Sequence, residues 1–121
     1  METASEHPRM DAIAAFCPAD ALLRKLWGQW KTHVIYVLGE QGACRFGVLR
    51  RRVAGISPKV LTQRLRELEA DGLAWREQEN TIPPKVTYGL TATGLAVHGV
   101  LKGFDPIARD TLQSTAADTA G

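Results

Sequence analysis

The chain contains no apolar run approaching the roughly 18 residues that a membrane-spanning helix needs. Met1 to Met10 mixes Glu2, Glu6, His7 and Arg9. A secretory signal has a basic start followed by an apolar stretch, which is absent here, so the expected compartment is the cytoplasm and no membrane is expected as a partner. Cysteine is scarce: Cys17 and Cys44 make no disulfide framework. The histidines His7, His33 and His98 stand at no metal-ligand spacing with one another or with a cysteine, so neither a metal nor another cofactor is expected. Nucleophile elbows, phosphate loops and paired-carboxylate motifs are missing too. That leaves no catalytic candidates and argues against an enzyme.

Acid is missing where base is dense. From Arg45 to Arg66 the chain carries seven cations in 22 residues, namely Arg45, Arg50, Arg51, Arg52, Lys59, Arg64 and Arg66, and no Asp or Glu. The net charge is only +2, so this is a local basic patch in a nearly neutral chain.

A length of 121 residues suits one domain. Residues 1–16 read as a partly flexible extension, with Met10 to Phe16 its most helical part. Pro18 suits the first turn of a helix that carries Leu22, Leu23 and Leu26 on one face. Trp30, Val34, Val37 and Leu38 then stand at helical spacing, and Gly39 and Gly42 are expected to break that helix. Phe46, Leu49 and Val53 mark one face of a short helix. After a tight Ala54-Gly55-Ile56 connection, Ser57 is a good N-cap with Pro58 at the first helical position, and Asp71-Gly72 ends the helix that follows. Two short helices joined by such a turn form a helix-turn-helix.

Beyond Gly72 the period changes to two. Leu73 and Trp75, then Val86, Tyr88 and Leu90, alternate with polar neighbours around a loop from Gln78 to Pro84, which predicts a two-stranded hairpin. Thr91 caps a last helix carrying Leu95, Val97, Val100, Leu101 and Phe104. Residues 105–121 read as a partly flexible tail, with Ile107 and Leu112 in a short helical extension and the last eight residues frayed. The fold class is therefore mainly α with a small β-hairpin wing (α+β), a winged helix-turn-helix over residues 17–104.

With Leu61, Leu65 and Leu68 on the inner face of the second motif helix, the outer face carries Lys59, Gln63 and Arg66, flanked by Thr62 and preceded by Ser57. Long donors at this spacing reach base edges in a major groove, Arg and Lys to guanine and Gln to adenine. Arg50, Arg51 and Arg52 suit phosphates, with one of them expected to meet a protein carboxylate instead. In the wing, Lys85 is the cation, Asn80 and Thr81 are polar residues at the tip, and Arg76 is weakened as a contact by Glu77 beside it. The partner these residues imply is double-stranded DNA. A winged helix that binds protein is the alternative, against which the acid-free stretch argues.

The sequence resembles the HxlR-type family of winged helix-turn-helix transcriptional regulators. The resemblance rests on Cys17-Pro18, Arg45-Phe46, Gly55-Ile56-Ser57, Val60-Leu61-Thr62, Leu65-Arg66-Glu67-Leu68-Glu69, Asp71-Gly72-Leu73, Pro83-Pro84, Val86, and Tyr88-Gly89-Leu90-Thr91 with Gly94. It implies a homodimer, built from N- and C-terminal helices, on pseudo-palindromic DNA. It also implies either oxidant or electrophile sensing at Cys17 or a packing cysteine there; Cys44 reads as incidental. A small apolar inducer between the dimer's helices would be lined by Trp27, Trp30 and Phe104, which as core or interface residues would need no ligand. Two departures stand out. Trp27-Gly28-Gln29-Trp30 replaces the family's Gly-Gly-Lys-Trp and displaces the lysine to Lys31, and Phe104 stands where a Trp is common.

Overall fold

A computed structural model describes residues 17–120, with side chains described through Leu112. The expected extension over 1–16, with its helical Met10 to Phe16, lies outside the described residues. Helix α1 spans Pro18–Leu26, with Pro18 at its first turn, Asp20 near its N-terminus and Arg24 and Lys25 near its C-terminus. Each charge opposes the helix dipole at its own end. The expected leucine face is only partly used within the chain: Leu26 is buried, while Leu22 and Leu23 are exposed.

Helix α2, Lys31–Gln41, buries Val34, Ile35 and Leu38 at the centre of the molecule. It runs through Gly39, which the sequence suggested as a breaker, and stops at Gly42, where φ is 83°. Gly39 serves packing instead: a Cβ there would run into the His98 ring. Strand β1, Cys44–Arg45, leads into helix α3, Phe46–Arg52, and then into helix α4, Pro58–Ala70. The Ser57 side chain caps α4 by accepting from the Val60 N–H at 3.1 Å. Leu61, Leu65 and Leu68 are wholly enclosed, each contributing roughly 1.5–3 kcal/mol by burial.

The end of α4 is closed by backbone geometry. Gly72 adopts φ 74°. Its N–H donates to the Glu69 carbonyl at 3.0 Å, and the Leu73 N–H donates to the Leu68 carbonyl at 2.9 Å. This is a Schellman closure, in which buried Leu73 and Leu68 supply the usual apolar contact. The chain then enters strand β2, Ala74–Glu79, and returns as β3, Lys85–Leu90. The loop is thus shorter than the expected Gln78 to Pro84, because pairing continues to Glu79↔Lys85. The sheet has a third member: β1 pairs with β3 through Cys44↔Tyr88, giving the antiparallel order β1-β3-β2 rather than a bare hairpin. Cys44 therefore sits in a strand with its side chain buried.

Helix α5, Ala92–Gly103, starts where α4 ends. The Thr91 hydroxyl accepts from the Gly94 N–H at 3.1 Å and donates to the Gly72 carbonyl at 2.6 Å. Along α5, Val97 is buried and Leu101 half-buried, while Leu95, Val100 and Phe104 remain exposed. A polar cluster joins α5 to α2. Glu40 accepts from His98 Nε2 at 2.8 Å and pairs with Lys102 at 3.1 Å, and these two partners hold its carboxyl below the usual range. The Tyr36 hydroxyl donates to Asp105 at 2.8 Å, which raises the phenol's pKa. Helix α6 spans Asp105–Ala120, longer than the short extension expected.

The close approach of α5 to the start of the wing makes a stability prediction. A methyl group at Gly94 would press into the Leu73 carbonyl, which belongs to backbone and cannot swing aside. Gly94→Ala should cost about 1–3 kcal/mol in urea unfolding. Gly99→Ala, one turn further along α5 with nothing within 4 Å of the added carbon, should raise stability by about 0.5–1 kcal/mol. Equal effects at the two positions would contradict this packing.

Candidate nucleic-acid interface

The inner leucines of α4 fix its rotation, and that rotation determines what the helix shows to solvent. Ser57, Lys59, Gln63 and Arg66 are exposed and Thr62 is half-buried, so the expected outer face is a real surface. Some of its groups are already engaged. The Ser57 oxygen caps the helix, the Thr62 hydroxyl donates to the Pro58 carbonyl at 2.8 Å, and Gln63 Nε2 reaches Glu67 at 3.4 Å. Lys59 and Arg66 make no hydrogen bond or ion pair among the described residues.

Arg64, a member of the basic stretch, turns the other way. Its Nε donates to the Gln29 carbonyl at 2.9 Å, and Nη1 sits 3.0 Å from Glu67. Lys31, with a side chain only 11% exposed, lies 3.4 Å from Glu67 and donates to the Lys25 carbonyl at 3.1 Å. Burial raises the Glu67 pKa, but Arg64 and Lys31 outweigh it and leave the carboxyl below its ordinary range. The displaced lysine thus ties the α1–α2 connection to the back of α4. That connection takes two left-handed residues, Gly28 and Trp30, the latter at φ 81°.

Arg50, Arg51 and Arg52 are all exposed on α3. At least one of them is expected to face a protein carboxylate; among the described residues none does. In the wing, Lys85 is exposed opposite Glu79. The tip residues Asn80 and Thr81 are exposed, and the Thr81 hydroxyl is tied to the Pro83 carbonyl at 2.8 Å.

Arg76 is a candidate backbone contact that the sequence leaves weakened by Glu77 beside it. Strand alternation puts Glu77 on the opposite face. Arg76 itself is paired with Tyr88 in register, and it lines a cleft with Thr62 and Arg66 of α4. The period-two pattern that located the strand was sufficient to separate the two side chains.

The remaining candidates lie elsewhere. Cys17 is exposed at the N-cap of α1. Cys44 is enclosed, and burial pushes its thiol pKa up against a weaker opposing effect of Arg52. Trp27, 84% exposed, lines shallow grooves with Leu23. Trp30 stacks on His33 with ring centroids 6.1 Å apart and packs against the core. Phe104 is exposed at the α5–α6 junction. Among the described residues neither Trp30 nor Phe104 forms a wall of the Trp27 grooves. No cluster of three or more His, Cys, Asp or Glu suited to a metal occurs among the described residues, and no described helix is long and apolar enough to cross a membrane.

Comparison with known proteins agrees with this architecture. The model of the HxlR-like helix-turn-helix family matches residues 25–115. The chain is 38% identical over 101 residues to the uncharacterized HTH-type transcriptional regulator YybR of Bacillus subtilis strain 168, covering 81% of this chain and 80% of that one. Among solved structures, it is similar to the redox regulator HypR in its reduced form, at 37% identity and a TM-score of 0.70, with 80% of this chain and 98% of HypR covered. It is also similar to the reduced form of the transcriptional regulator YodB from B. subtilis, at 32% identity and a TM-score of 0.66, with coverage of 76% and 90%. These relatives are regulators, not enzymes. With 91 consecutive residues, 25 to 115, matched by its model, the chain belongs to the HxlR-like helix-turn-helix family and is a winged helix-turn-helix transcriptional regulator of HTH type.

Proposed function

We propose that the protein binds a pseudo-palindromic operator as a homodimer, with α4 of each protomer in the major groove. The observation that carries this reading is the outward face of α4. Among the described residues Lys59 and Arg66 have no hydrogen-bond or ion-pair partner, Gln63 stands between them, and Arg50, Arg51 and Arg52 flank the face without meeting a described carboxylate. Base edges suit the first half of the helix, Lys59, Thr62 and Gln63, and phosphates suit α3 and Lys85. Such a protein works where the chromosome is, in the cytoplasm.

Dimerisation is supported by apolar surface that a monomer leaves uncovered. Leu22, Leu23 and Trp27 on α1, and Leu95, Val100, Phe104, Ile107 and Leu112 on α5 and α6, are all exposed. Terminal helices with such faces are suited to pairing two copies, which would set two recognition helices about 34–36 Å apart. A small apolar inducer, if the dimer takes one, would meet Trp27 and Phe104 at those same faces.

Cys17 supports a regulatory reading. It is exposed on α1, beside the proposed dimer surface, and HypR and YodB, to which this chain is similar, include a redox regulator. A thiol oxidised to sulfenic acid, or bridged to the partner, would alter the packing of α1 and with it the spacing of the recognition helices.

Three measurements test these readings. Gln63→Ala should reduce affinity for a duplex selected from a random pool by about 1–3 kcal/mol while leaving binding to unrelated DNA nearly unchanged; equal affinity of variant and wild type for the selected duplex would refute the base-reading face. Sedimentation should give a dimer at micromolar concentration, and a monomer with a single half-site footprint would remove the dimer. Diamide should change DNA binding by the wild type but not by Cys17→Ser. If both respond alike, or neither does, Cys17 is a packing residue.

A further inference from the structure

The junction between α4 and the wing holds a cleft of about 450 Å³, walled by Thr62, Arg66, Glu69, Arg76 and Tyr88. Two arginines line it from different elements, Arg66 from the helix and Arg76 from strand β2. Arg66 makes no hydrogen bond or ion pair among the described residues. Arg76 spends one donor on Gln78 Oε1 at 3.0 Å, and a guanidinium has five. Glu69 stands in the same wall, yet pairs with neither arginine among the described residues. The wall therefore carries two positive charges against one negative, a surplus of one, with most of its arginine donors unspent. A phosphodiester, with one negative charge and two free oxygens, matches that surplus.

We propose that this cleft seats a single phosphodiester of the DNA backbone, clamped between Arg66 and Arg76. The proposal rests on the DNA-binding reading above and adds a contact to it. A helix in the major groove and a wing on the neighbouring minor groove must straddle the sugar–phosphate strand between them. The point where the two elements meet faces that strand. The assignment moves Arg66 from the bases to the backbone. That agrees with its place in the second half of Pro58–Ala70, since the N-terminal residues of recognition helices read base edges. Glu69 tunes the clamp: it opposes the phosphate and limits the site to one negative charge.

The clamp can be tested on the full chain with any duplex, because a phosphate contact carries no sequence information. Binding is measured across a salt series to the selected duplex and to an unrelated duplex of equal length. Arg76→Gln should weaken both by the same factor and flatten the log–log salt slope by about one unit. Glu69→Gln should act with the opposite sign and tighten both. A neutral methylphosphonate at the contacted position should weaken wild type more than it weakens Arg76→Gln, in which Arg66 alone still faces that phosphate. Circular dichroism checks that the variants fold, and Glu69→Gln on the opposite wall tests the cleft independently of Arg76. The clamp is overturned if Arg76→Gln keeps the wild-type slope, if it loses only the selected duplex, or if Glu69→Gln fails to tighten binding. Wild type showing no salt-dependent binding to either duplex would overturn the DNA reading itself, and the clamp with it.

Discussion

The carbonyl groups of Gly72 and Leu73 hold the recognition helix, the wing and α5 at one point. The Thr91 hydroxyl donates to the first at 2.6 Å, and the Thr91 N–H donates to the second at 3.1 Å. Gly94 then lies against the Leu73 carbonyl so closely that no side chain fits there. The same two residues close α4 from the other side, since their N–H groups satisfy its last carbonyls. The angle between helix and wing is therefore set by short, fixed backbone contacts rather than by long side chains. A cleft that spans the two elements inherits that rigidity in its backbone, which fixes where the two arginine side chains begin.

A second constraint acts behind the recognition helix. Glu67 is half-buried, and Arg64 and Lys31 converge on it, while the Gln29 carbonyl accepts from Arg64 Nε. These are partly shielded contacts, so they order the helix more than an exposed pair would. They also sort the cations of the basic stretch. Arg64 is engaged in holding the helix, and on the opposite face Lys59 and Arg66 meet no partner among the described residues.

Much of this was legible in the sequence because it is local chemistry. Pro18, Ser57, Gly72 and Thr91 act within one turn of themselves, and each marks the boundary its residue type implies. The leucines of α4 repeat at helical spacing, so its buried face and outer face followed together. What the sequence hid depends on distant partners. Gly39 looked like a breaker, but its missing side chain makes room for His98 on another helix. Strand β1 is two residues long, too short for any periodicity, and exists only because Tyr88 and Thr87 pair with it. Along α5, Leu95, Val97, Val100 and Leu101 look equally apolar, yet only Val97 is fully buried in the chain. Periodicity reports that a face is apolar, not whether the same chain covers it.

The contrast between the two cysteines has a practical side. Cys44 is shut into the sheet with a thiol that burial keeps protonated, whereas Cys17 stands in solvent at the head of α1. Alkylating reagents attack thiolates within reach. The native chain thus offers one addressable attachment point and shields the other. A spin label or fluorophore can be placed at the start of α1 without engineering any cysteine away, and the label's mobility would report what surrounds that end of the helix.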